Sequence, residues 1–213
     1  MIRIAVVTGS TRPNRKSEAV ARWVLEVAAR RGDAEFALVD IAAQDLPLLD
    51  EPVPPSRGDY RHAHTRRWAA VVDGFDGFVF VSPEYNHSVP AALKNALDYL
   101  YAEWNDKAAG LVTYGGAGGV RAAEHLRQIL GELQVATVRQ QVTLALATDW
   151  ESGRFRPDAS RHEPRLEGML DQLLRWTGAL RTVRAVRPPR PRDGRSAPPP
   201  RRPGARWTAR ARR

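Results

Sequence analysis

The chain has 213 residues, no cysteine, 33 basic and 24 acidic side chains, and a formal net charge of +9. That length supports one domain with a real core. The lack of cysteine excludes disulfides, thiolate zinc sites, iron–sulfur clusters and a thiol nucleophile. No apolar run approaches the ~20 residues of a membrane helix, and the start, Met1 to Val7, has the wrong length and flanks for a secretion signal. The expectation is a soluble, cytoplasmic protein.

In chain order, residues 2–8 (IRIAVVT) form a β-rich apolar run that ends at Gly9, which predicts a buried strand. Residues 17–31 follow a helical period, with Val20, Trp23, Val24, Val27 and Ala28 on one face. Residues 35–41 predict a second strand, ending on the acid Asp40. A Pro-rich loop, 45–55, is too apolar for a plain connector and is expected to cover something. A helix near 60–74 gathers Trp68, Val71, Val72 and Phe75, with His62 and His64 expected on its surface. Residues 77–82 (GFVFVS) predict a third strand covered on both faces.

The next helix starts near Pro90, a position where a missing N–H costs nothing. A fourth strand at 108–114, a helix at 119–133 and a fifth strand within 136–146 follow. A last helix near 163–178 buries Leu166, Met169, Leu170, Leu173 and Leu174. Trp23 and Trp68 are expected in the core, Trp104 in packing or an interface, and His125 and His162 on the surface. Strand and helix alternate five times without hairpin turn signals. That predicts an α/β fold, a parallel sheet with helices on both faces, and no His/acid cluster suggests a metal.

The charge is unevenly placed. Residues 187–213 hold ten of the 33 basic and one of the 24 acidic side chains, which leaves 1–186 with 23 of each. The segment also holds seven of the 16 prolines, so it is expected to be a disordered tail. Three readings stay open for it: a solvated extension, loose polyanion binding, or a docking peptide.

In doubly wound sheets, ligands bind beyond the carboxyl ends of the strands where the winding reverses. The loop after the first strand, 9–17, is rich in hydroxyls and cations and enters a helix, which suits a phosphate. It lacks both the P-loop and the G-x-G-x-x-G spacing. The loop 82–90 sets Tyr85 beside amide and hydroxyl groups between two prolines, which suits a flat heterocycle; His87 could border it. The loop 113–119 has four glycines in five residues, which permits close backbone approach. Each loop alone also fits an ordinary turn. Together they fall at one end of one sheet.

At these residues the chain resembles the NADPH-dependent FMN reductase family, flavodoxin-like quinone, azo-dye and chromate reductases. The matching stretches are GSTRPNRKSEAVARW, DLPLLDEP, SPEYNHSVPAALKNALDYLYAEWNDKAAGLVTYGGAGG and RQQVTL, spread over about residues 2–178. The resemblance implies a three-layer sandwich with a five-stranded parallel sheet in order 2-1-3-4-5. It implies a flavodoxin-like FMN-binding reductase domain over 1–180, followed by the Arg/Pro-rich tail at 181–213. By the same match Ser10, Arg12 and Ser17 would hold the FMN phosphate, with Thr11 and Arg15 as weaker candidates. Pro83, Glu84, Tyr85 and Asn86 would line the isoalloxazine ring, and Tyr114, Gly115 and Gly116 would meet its pyrimidine edge. NADPH would be the co-substrate, a quinone or other small molecule the acceptor, the kinetics ping-pong, and the assembly a homodimer or homotetramer. Two alternatives remain: a flavodoxin-like electron carrier, disfavoured by the cations of the phosphate loop, and a flavin-sensing regulator whose basic tail binds nucleic acid.

Overall fold

The computed structural model describes residues 1–186. Five parallel strands form one sheet: β1 (Arg3–Thr8), β2 (Glu35–Asp40), β3 (Gly77–Pro83), β4 (Lys107–Gly115) and β5 (Val135–Ala145), in the order β2-β1-β3-β4-β5. β3 and β4 are buried at every residue, which is why their sequences are continuous apolar runs. β2, at an edge, is only partly covered. This is the expected flavodoxin-like order.

Helices α1 (Ser17–Ala29), α2 (Ala63–Asp73), α3 (Ala91–Asp98), α4 (Val120–Glu132) and α5 (Ala159–Ala185) connect and flank the strands. Side chains alternate across each strand, so the core divides into two layers. Val7, Phe80 and Leu111 face α2, α3 and α4 together with Trp68 and Trp104, whereas Val6, Val81 and Val112 face α1 and α5 together with Trp23 and Leu170. Trp23 and Trp68 are core residues as expected, and of packing or an interface Trp104 takes packing. Trp104 is fully buried, and its indole N–H donates to the Leu97 carbonyl at 3.2 Å.

Three expectations are corrected. First, a hairpin exists: β6 (Trp150–Glu151) pairs antiparallel with β7 (Arg154–Phe155). Ser152 (φ 47°) and Gly153 (φ 78°) form its turn, a Ser-Gly signal in strands too short to show an alternating pattern. Second, His162 is fully buried rather than at the surface, its Nε2 lying 2.8 Å from Asp149 Oδ1. The surrounding polar sequence hides the fact that this helix end packs on the loop after β5. Third, His62 and His64 are half-buried; their rings stack at 5.1 Å, and His64 Nε2 lies 2.9 Å from Asp50 Oδ1. They anchor the Pro-rich loop from below, while Asn95 Nδ2 donates to the Pro47 carbonyl at 2.7 Å from α3.

α5 is longer than the expected 163–178. Its last turn is held by Arg184, which donates to Asp76 Oδ1 and to the Asp106 carbonyl, both at 2.7 Å. Those two residues precede β3 and β4, so α5 ends at the amino edge of the sheet. The Arg/Pro-rich segment from residue 187 onward, expected as a disordered tail, lies outside the described residues.

Candidate functional site

The register sets Thr8 opposite Val81 and Pro83 opposite Tyr114, so the loops after β1, β3 and β4 leave the sheet side by side at its carboxyl edge. The first loop starts tightly. Gly9 N donates to the Val81 carbonyl at 2.8 Å, and a Cβ at Gly9 would stand 2.9 Å from Leu93 Cδ2. Ser10 is buried, with its Oγ 2.9 Å from the Tyr85 hydroxyl of the second loop, 75 residues away. Thr11 and Arg12 are exposed, and Arg12 has no acidic partner among the described residues.

α1 begins without a side-chain cap. Its first N–H groups and its dipole therefore favour an anion. Ser17 is fully buried there. The Tyr114 phenol approaches its hydroxyl from the α5 side of the sheet. Arg15 is placed differently from the expectation of a phosphate contact. Its guanidinium reaches Asp40 Oδ2 at 2.6 Å and Glu18 Oε1, and Asp40 also accepts from Thr8 Oγ1 at 2.8 Å. Arg15 thus ties α1 to the end of β2, and Asp40 is the strand-end acid that the sequence suggested.

The second loop folds back on itself. Tyr85 N donates to the Ser88 carbonyl at 2.9 Å and Ser88 N returns a bond to Tyr85 at 3.1 Å. Asn86 (φ 47°) and His87 (φ 72°) make the turn between them. Two consecutive left-handed residues suit Asn-Gly. A histidine in the second place carries about 1–2 kcal/mol of backbone strain, and such strain gathers at functional loops. The turn sets Asn86 and His87 outward, both exposed, while Pro83 is buried in the strand.

Glu84 is the link that sequence reasoning missed. Its N–H donates to the Tyr114 carbonyl at 2.9 Å. Its carboxylate accepts from the Arg121 backbone N–H at 3.1 Å and from the Arg121 guanidinium at 2.8 Å. α4 has Gly119 at its start and no cap of its own, so Glu84 caps it from another loop. Burial opposes the charge on Glu84, but the hydrogen bonds and field of Arg121 outweigh it and hold the carboxyl below its ordinary value of 4.5. A lowered folded-state value stabilises the fold above about pH 4.5, and the gain disappears as pH falls through the lowered value. Replacing Glu84 by Gln should therefore cost about 1–2 kcal/mol at pH 7. Unfolding free energies of variant and parent should converge as the pH falls below 4.5 through the lowered value; a gap that stays constant with pH would contradict this role.

The third loop brings Gly115 beside Glu84, where a Cβ would lie 3.2 Å from Glu84 Cβ, whereas Gly116 faces open space. Tyr114 itself turns away from this edge. Its ring lies in the α1–α5 core layer, 4% exposed and 5.6 Å from the Trp150 ring, and burial pushes its phenol well above the ordinary value. Only its backbone faces the other two loops. The Pro-rich loop completes the edge: with Thr11, Ala42, Ala91 and Asn95 it lines a cleft of about 430 Å³.

The site residues therefore converge, with Arg15 and the Tyr114 ring in supporting positions. An uncapped helix start, the buried Ser17 hydroxyl, the exposed cation Arg12 and an open glycine turn fit a phosphorylated, flat ligand.

The comparisons agree. The family model described as NADPH-dependent FMN reductase matches residues 2–149. An NAD(P)H-dependent FMN reductase of Schizosaccharomyces pombe is 40% identical over 149 residues, 69% of this chain and 74% of that protein. A quinone reductase of Pseudomonas putida is 30% identical over 194 residues, 84% of this chain and 97% of the relative. Among solved structures, the flavoenzyme NAD(P)H:(acceptor) oxidoreductase FerB of Paracoccus denitrificans superposes with a TM-score of 0.65 at 21% identity, covering 84% of this chain and 98% of its own. Among the described residues no helix is long and apolar enough to cross a membrane. The chain belongs to the NADPH-dependent FMN reductase family and is an FMN-dependent oxidoreductase.

Proposed function

We propose that this chain passes reducing equivalents from NADPH to quinone-like or other small acceptors by a ping-pong mechanism, as a cytoplasmic homodimer or homotetramer. FMN, when bound, would supply the hydride-transfer chemistry between NADPH and the acceptor. Ser10, Arg12 and Ser17 hold the phosphate with Thr11 at their side, and Arg15 contributes charge from its place on Asp40. Pro83, Glu84, Tyr85 and Asn86 shape the wall along the ring through their backbone and the Tyr85 side chain. The N–H groups of the Gly115–Gly116 turn would meet the pyrimidine edge, where fixed donors would stabilise negative charge. No side chain is needed as nucleophile. Leu48 is 82% exposed and Leu49 41% exposed in the loop that lines the cleft, which supports an assembled form that covers them.

The observation that carries this reading is the Ser10–Tyr85 contact, which joins the phosphate loop to the aromatic loop at the point where the winding reverses. The test is spectroscopic. The purified protein should be yellow, or take up added FMN. NADPH should bleach the flavin band without oxygen, and a quinone should restore it faster than air does. A colourless protein that refuses FMN, or a bleached one that no acceptor restores faster than air, overturns the proposal.

A further inference from the structure

A second groove, about 560 Å³, lies on the α1–α5 side of the sheet. One wall is α1 with Lys16, Arg22 and Trp23; the other is the β6–β7 hairpin with Trp150, Arg154 and Phe155. Its floor is aromatic: Trp150 and Phe155 pack at 4.9 Å, and Phe155 meets Trp23 edge-on at 5.9 Å. Lys16 Nζ sits 5.4 Å from the centre of the Trp150 ring. Lys16, Arg22 and Arg154 have no acidic partner among the described residues. The other charged lining groups are Glu26 and Arg15, and Arg15 is already held by Asp40 and Glu18. The groove is thus a cationic slot with an aromatic base, within the size range of small-molecule sites.

Its position ties it to the flavin edge. Asn14, Arg15 and Lys16 belong both to this groove and to the phosphate loop. The loop leading to the hairpin is fastened to the glycine turn, since Leu146 N donates to the Gly115 carbonyl at 3.0 Å. The family match stops at residue 149, so the hairpin wall stands beyond it.

We infer that this groove binds the 2′-phosphorylated adenosine end of NADPH, the adenine on the Trp150–Phe155 floor and the 2′-phosphate between Arg22 and Arg154. The inference rests on the proposed NADPH-driven reaction, and predicts that NADPH is preferred to NADH. Arginine forks suit a phosphate dianion, and NADH lacks that group.

The test has two arms. In calorimetry on the FMN-loaded protein, adenosine 2′,5′-bisphosphate should bind at least about tenfold tighter than adenosine 5′-monophosphate. The Arg22→Ser/Arg154→Ser double variant should lose that difference. Both side chains are exposed, so the substitutions leave the core intact, and thermal melts would verify it. In steady-state kinetics the same variant should raise the KM for NADPH relative to that for NADH at least about tenfold. Equal binding of the two adenosine phosphates by the parent, or equal changes in KM for both cofactors, overturns the inference. If no acceptor is reduced at all, the proposed function falls but the calorimetric arm still decides the groove.

Discussion

Replacing His162 by Ala should lower the unfolding free energy by about 3–5 kcal/mol, because it strips the partner from a buried carboxylate. His162 is fully buried and Asp149 is 2% exposed. The pair is the hub of the segment between β5 and α5. Asp149 Oδ2 accepts from Ala145 N at 2.7 Å, and its carbonyl accepts from Arg156 N at 2.9 Å across the hairpin. Asp149→Asn should cost less, since an amide can still accept from Ala145 and meet the imidazole. His125→Ala is the surface control. His125 is exposed, with one hydrogen-bond-range contact of 2.9 Å to Ser88 Oγ and a tilted ring contact to His87 at 6.2 Å, so its loss should stay within about 0.5 kcal/mol. Denaturant titrations measure all three. A cost below about 1 kcal/mol for His162→Ala would show that the segment does not depend on the pair.

The glycine turn after β4 offers a second large effect, and a contrast. A Cβ at Gly119 (φ +73°) would lie 2.7 Å from Tyr114 N and 2.8 Å from Thr113 Cβ. Backbone cannot yield there as a flexible side chain could, so Gly119→Ala should cost about 3 kcal/mol or more, combining left-handed strain with overpacking. Gly116 has nothing within 4 Å of such a Cβ. Gly116→Ala should leave the melting temperature unchanged and yet weaken FMN uptake, because the new methyl would fill space along the proposed ligand edge. Fluorescence titration of the flavin-free protein reads the second effect. Undiminished FMN affinity in the Gly116→Ala variant would remove Gly116 from the site.

The sheet was legible because β1, β3 and β4 are nearly continuous apolar runs, and the helices because their buried faces recur with the helical period. The order of the strands came from the family resemblance rather than from any local signal. The positions of the site loops followed from topology: Ser10, Tyr85 and Gly116 reach one edge because their strands are neighbours. Pairings across long sequence separations were not legible. Nothing near Glu84 announces that Arg121, 37 residues on, takes its carboxylate. The pairing of Arg15 with Asp40 was equally hidden, because the two lie 25 residues apart in sequence. Tyr114 looked like a ligand contact because alternation alone does not say which face of β4 meets α1. The hairpin escaped because two-residue strands have no period.

The anchoring of α5 by Arg184 has a practical consequence. The described chain leaves the sheet at its amino edge, beside Asp76 and Asp106, while the loops after β1, β3 and β4 open at the carboxyl edge. A support coupled at Val186 would therefore hold each molecule with its proposed site facing solution. An electrode or bead that captures the protein through this point should leave the entry route for dissolved acceptors open, whereas attachment through Lys16 would close it.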